Sequence, residues 1–202
     1  MTALKNAVKR RNRMAPGPRE QGRSGGFTLI ELMVALAIGV LLMVVAVPSF
    51  VQVRRNADLS AAVSSFVMAT TAARSAALKA GRDTYLVPTN PTLGWSGGWY
   101  VYVDDNFNGA LDTTEPKFAE HAALTSDITV TTPVASSASV TSTLRLTPGY
   151  LLYSGSGFPR QLSGQLAAGI IVMATTDRSS TVIIDTTGRV RSCKTTDAGC
   201  TL

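Results

Sequence analysis

Gly188-Arg189-Val190-Arg191 sets two arginines two residues apart, behind a glycine, near the C-terminal end of a 202-residue chain. On an extended strand, residues i and i+2 project from the same face, so Arg189 and Arg191 stand side by side. Two parallel guanidinium groups can fork onto successive phosphates. Phosphate contacts of this kind give sequence-independent, salt-sensitive binding. Lys194 lies just beyond, and residues 145–202 carry six basic and three acidic side chains, a local excess of +3. The partner this chemistry would take is a polyanion with successive phosphates. The plainer reading is an exposed strand whose arginines meet acids or solvent.

A second constellation lies at 104–115. Asp104, Asn106, Asn108, Asp112 and Glu115 occupy the oxygen-ligand positions of a twelve-residue calcium loop, with Gly109 at its sharp turn. A strand rather than a helix precedes it, and Asp/Asn/Gly clusters also build ordinary turns. A calcium site and a hairpin tip with its carboxylates in solvent both stand; no other cofactor is expected. Cys193 and Cys200, an even pair close in sequence, read as a disulfide in an exported domain. With one distant histidine, His121, they do not make a four-ligand zinc site. No Ser/His/Asp order accompanies His121, which reads as a surface or loop residue, and no glycine-rich phosphate loop follows a strand. Neither an enzyme nor a small-molecule substrate is expected. Trp95, Trp99, Tyr100 and Tyr102 cluster within eight residues. Alternation puts Trp99, Val101 and Val103 on one face and Tyr100 and Tyr102 on the other, which points to core packing rather than base stacking.

These groups need elements to position them, and the chain supplies two kinds. From Phe27 to Phe50 the only ionisable side chain is Glu31, and 24 residues suffice to cross a bilayer as a helix. A carboxylate in such a run costs a few kcal/mol, on the order of 3, unless it finds a cation. Cleavage after Gly26 would provide one, the α-amino group of Phe27 in a neighbouring copy. Beyond Pro48, apolar residues from Leu59 to Leu78 recur at three- and four-residue steps, and alanine is abundant. One helix is therefore expected over about 28–80, loosened at Pro48 and stopped by Gly81. From Asp83 onward Thr, Ser, Gly and β-branched residues take over. Strands are expected at 83–88, 97–104, 127–132, 139–147, 150–153, 168–175, 180–186 and 189–194, with a long hairpin over Thr125–Ser142. The fold class is α+β, a long N-terminal helix packed on antiparallel sheet.

The charge is just as unevenly distributed. The whole chain is +6, yet residues 1–26 hold seven basic residues against one acid, leaving twelve of each in 27–202. Lys and Arg stay on the cytoplasmic side of a membrane segment, so the C-terminal body is expected outside the cytoplasm.

The string Gly26-Phe27-Thr28-Leu29-Ile30-Glu31-Leu32 resembles the processing site of type IV prepilins and type II secretion pseudopilins. Pro48 falls at position 22 after the cleavage point, where pilins often carry a helix-breaking proline. Ala73-Arg74-Ser75-Ala76-Ala77-Leu78-Lys79, Gly98-Trp99-Tyr100-Val101-Tyr102-Val103-Asp104 and Asp185-Thr186-Thr187-Gly188-Arg189-Val190-Arg191 then follow the order seen in the pseudopilin H/FimT family. The resemblance covers the mature chain end to end. It implies a type IV pilin-like fold, cleavage between Gly26 and Phe27 by a prepilin peptidase, and methylation of Phe27. It also implies assembly guided by Glu31 with other pilin or pseudopilin subunits. The implied layout is a leader over 1–26, starting at Met1 or at Met14, then a filament-core helix over 27–50. An amphipathic continuation over 51–81 leads into a β-rich domain over 82–202. The implied location is the bacterial inner membrane, single-pass with a periplasmic C-terminal domain, then the pilus or pseudopilus. In FimT-like members a Gly-Arg-x-Arg motif accompanies DNA capture, which the resemblance carries to Arg189 and Arg191. A structural pseudopilin H with no nucleic-acid role is the alternative. Glu31→Ala is expected to be cleaved normally yet to be lost from filaments, checked by comparing the processed band with the sheared-filament fraction; normal incorporation would remove the role assigned to Glu31.

Overall fold

The alanine-rich, apolar sequence from Leu29 to Ala80 forms one helix, α1, in the computed structural model of the protein, which describes residues 26–132 and 149–200. The expected leader up to Gly25, both candidate start residues, the strand at 139–147 and much of the Thr125–Ser142 hairpin lie outside the described residues. The helix runs on through Pro48. It ends where expected: Gly81 takes a positive φ of 64° and donates its N–H to the Ala77 carbonyl. That is the glycine-terminated helix end that a left-handed residue permits.

The chain divides into two compact units between Val44 and Val45. In the described part of the first, residues 26–44, apolar side chains such as Leu36 and Leu41 are exposed. This is the only helix among the described residues long and apolar enough to cross a membrane.

Among the described residues, the second unit holds the remainder of α1 and nine strands. These are β1 (Thr84–Asn90), β2 (Gly94–Val103), β3 (Phe118–His121), β4 (Thr129–Thr131), β5 (Leu151–Tyr153), β6 (Pro159–Arg160), β7 (Gly169–Ala174), β8 (Ser179–Ile184) and β9 (Val190–Lys194). All pairings are antiparallel, in two sheets ordered β3-β2-β1-β5-β6 and β4-β7-β8-β9. Strands β3 and β6 were not expected from the sequence. His121 lies on β3, paired with Trp99 and stacked on its ring at 4.3 Å, rather than in a loop.

One core joins the helix to both sheets. Leu59, Phe66, Ala73 and Ala77 come from α1, Leu86, Trp99 and Leu151 from the first sheet, and Ile171, Met173 and Val182 from the second. The helical contributors recur every three or four residues, which places them on one face. Phe66 is fully buried and meets Trp95 and Trp99 edge-on, with ring centroids 5.3 and 5.2 Å away. Tyr85 and Tyr102, directly paired across β1 and β2, stack on the other face of that sheet. Because Phe66 touches both tryptophans, Phe66→Ala is expected to destabilise the second unit by about 3–5 kcal/mol, read by chemical denaturation followed by circular dichroism. A loss under about 1 kcal/mol would show that this contact does not anchor helix to sheet.

Candidate nucleic-acid interface

Strands β8 and β9 are joined by Asp185-Thr186-Thr187-Gly188-Arg189, and the turn is built from its own side chains. Gly188 N–H donates to the Asp185 carbonyl at 2.9 Å, and Asp185 N–H to the Arg189 carbonyl at 3.1 Å. Gly188 has φ 79°. A tight turn followed by a left-handed glycine is the usual three-residue hairpin loop. The Asp185 carboxylate accepts from the Thr187 hydroxyl (2.6 Å), the Thr187 N–H (2.9 Å) and the Arg189 N–H (3.0 Å). Burial pushes this carboxyl up, but those three bonds and the Arg189 charge outweigh it and hold its pKa below the ordinary value. A depressed carboxylate stabilises the fold above its unfolded pKa and loses that contribution as pH falls through the lower folded value. The turn therefore weakens only in acid, below about pH 4.

Arg74 braces the turn from α1. Its guanidinium donates to the Thr187 carbonyl at 2.9 Å and the Gly188 carbonyl at 3.0 Å. The buried Tyr153 hydroxyl donates to the same Gly188 oxygen at 3.3 Å. Burial raises the Tyr153 pKa, so the phenol keeps its proton and remains a donor. Neither Arg74 nor Tyr153 is marked as a brace by local sequence. The Asp-x-x-Gly spacing, by contrast, is a readable turn signal.

Beyond the brace the two arginines reach solvent. Val190 packs against the core, while Arg189 and Arg191 are exposed. The strand begins one residue later than the expected 189–194, so Arg189 closes the turn and only Arg191 of the pair lies on β9. Strand β9 is an edge of its sheet. Arg191 sits across from Ile183 and donates to the Gly199 carbonyl at 3.1 Å, in the loop closed by the Cys193–Cys200 disulfide. Lys194 is not brought to this pair. Its position has the parity of Val190 and Ser192, and it lines recesses against α1 and the β7–β8 turn.

The loop at 104–115 is tied together by its own side chains. Asp104, buried, accepts the N–H groups of Asn108 (3.1 Å) and Gly109 (2.8 Å). Glu115, also buried, accepts those of Asp105 (2.8 Å) and Asp112 (3.1 Å). Asp112 accepts the side-chain amides of Asn106 (2.5 Å) and Asn108 (2.8 Å). These hydrogen bonds hold the loop's turns, and among the described residues no three His, Cys, Asp or Glu groups are disposed to hold a metal. Outside the loop, burial and the nearby Asp104 carboxylate raise the Asp83 pKa, and Arg160 partly opposes them.

The family model for type II transport protein GspH matches residues 62–188, and that for the prokaryotic N-terminal methylation motif matches 22–47. The chain belongs to the GspH family. It is a minor pilin or pseudopilin, anchored in a membrane by its apolar N-terminal helix. No curated protein matches its sequence. Its fold is similar to that of the type IV minor pilin FimU of Pseudomonas aeruginosa, at 14% identity and TM-score 0.50 over 70% of this chain and 92% of that one. The minor pseudopilin EpsH from the type 2 secretion system of Vibrio cholerae is also similar, at 12% identity and TM-score 0.45 over 69% and 99%.

At the other end of this GspH-family chain, Gly26 and Phe27 precede the helix and are exposed. The Thr28 hydroxyl accepts the Glu31 N–H at 3.3 Å. Thr28-x-x-Glu31 has capping-box spacing, and a carboxylate in the first turn favours the helix dipole. Glu31 thus has a local use as well as the intermolecular one expected of it. At the C-terminal hairpin, a Cβ on residue 188 would lie 2.7 Å from the Gly157 carbonyl oxygen and 3.0 Å from the Tyr153 ring. Gly188→Ala is therefore expected to destabilise the second unit by about 1–3 kcal/mol, measured by denaturation against the parent. Unchanged stability would show that the turn can shift freely.

Proposed function

We propose that this GspH-family chain is a FimT-like minor pilus subunit that captures double-stranded DNA through Arg189 and Arg191. The supporting observation is that both arginines are exposed, Arg189 closing a turn held by Arg74, Tyr153 and Asp185 and Arg191 two residues on in the edge strand β9. A held turn spends less conformational entropy on binding than a mobile one. Guanidinium groups on phosphate give an affinity indifferent to base sequence and steep in salt.

In this reading the precursor is cut between Gly26 and Phe27 by a prepilin peptidase and Phe27 is methylated. It waits in the bacterial inner membrane with its C-terminal domain in the periplasm. On assembly, Glu31 meets the terminal amine of an adjacent subunit. The competing reading is a structural pseudopilin H in a type II secretion filament with no nucleic-acid role, which the description of the matching family favours.

Retardation of duplex DNA by the solubilised, processed chain separates the two. Arg189→Gln with Arg191→Gln is expected to weaken binding about equally for unrelated sequences and to lower the salt slope by about two, one for each phosphate no longer neutralised. Unchanged retardation in the double variant would dissociate these arginines from DNA. No retardation by the parent chain at low salt would favour the secretion reading.

A further inference from the structure

Arg178 and Lys194 form a wall shared by two adjoining recesses of about 350 and 510 Å³. The recesses lie between α1 and the strand ends of the second sheet. Most cations of the second unit are engaged elsewhere. Arg54, Arg55 and Arg82 pair with acids, Arg74, Arg160 and Arg191 donate to carbonyls, and Lys117 sits over the Tyr100 ring. The side chains of Arg178 and Lys194 have no hydrogen-bond or ion-pair partner among the described residues. What faces them is rich in hydroxyls, with Ser60, Ser64, Ser180 and Ser192 lining the smaller recess. Asp177 is the only acid in either lining. Two unpaired cations beside hydroxyl donors make a receptor for one phosphate group.

The position along the chain narrows the source of that phosphate. The lining of the larger recess starts at Gln52, two residues beyond the end of the apolar run at Phe50. From Gln52 to Asn56 a helix rises about 6 Å. That matches the roughly 5–7 Å of polar headgroup on each side of a bilayer's hydrocarbon core. We propose that this cleft binds the phosphodiester headgroup of an anionic phospholipid in the leaflet adjoining the folded domain. It would then fix the height and rotation of the stored subunit at the membrane surface. This site is separate from Arg189 and Arg191, and it does not depend on DNA binding.

The test uses the full chain in mild detergent, with retained lipid counted by native mass spectrometry in phosphatidylglycerol or phosphatidylcholine. The parent is expected to keep one phosphatidylglycerol and little phosphatidylcholine. Arg178→Gln with Lys194→Gln is expected to bind phosphatidylglycerol about thirtyfold more weakly, the effect of losing two near-surface cations. Arg189→Gln with Arg191→Gln, which line neither recess, should bind as the parent does. So should Arg178→Lys, which keeps the charge and shows that loss in the double variant is not misfolding. The proposal is overturned if the Arg178/Lys194 double variant retains phosphatidylglycerol like the parent, or if the two lipids are held equally. It is overturned equally if millimolar inorganic phosphate displaces the lipid, making the site one for free phosphate. Loss of duplex DNA retardation in that double variant, with lipid retention intact, would make it a nucleic-acid surface instead.

Discussion

The second unit depends on the burial of one face of α1. Leu59, Phe66, Ala73 and Ala77 have no exposed surface, and each meets a sheet rather than another helix. Most helical stability in proteins comes from such packing and not from intrinsic propensity. Here a single helix supplies the inner wall for two sheets. Arg74 follows Ala73 on that helix, so the contact that closes the core also carries a guanidinium under the β8–β9 turn. The geometry of the hairpin is therefore a consequence of helix packing more than one hundred residues away in sequence.

Charge is organised by pairing. Residues 27–202 have equal numbers of acids and bases, so no broad field draws polyanions. Several of its basic side chains are held by carboxylates, carbonyls or an aromatic ring. A surface of this kind binds anions at particular places, where a cation has been left over or turned outward. The edge strand β9 holds both kinds, Arg191 on one face and Lys194 on the other.

How far the sequence reveals this depends on whether a feature is local. The helix, expected over 28–80 and observed at Leu29–Ala80, follows from period and a glycine stop. Alternation correctly sorted Trp99 and Val101 from Tyr100 and Tyr102. Strand β3 escaped because Phe118-Ala119-Glu120-His121 has no alternation and Ala119 takes a positive φ. Strand β6 is only two residues long and starts at a proline. The separation of Lys194 from the arginine pair is simple parity, readable once the strand is known to stay regular. The Arg74 brace has no local signature, because it is created by tertiary packing. The capping spacing at Thr28 and Glu31 was readable, but a lone acid in an apolar run draws attention to partners outside the chain first.

The two tryptophans of the chain, Trp95 and Trp99, are both buried and both lie against Phe66. Intrinsic fluorescence therefore watches one place, the seam between α1 and the first sheet. An emission shift to the red would report that seam opening to water. Events at the β8–β9 hairpin, in the other sheet, would leave the spectrum nearly untouched. The protein thus carries a built-in optical separation between loss of its core and occupation of its surface.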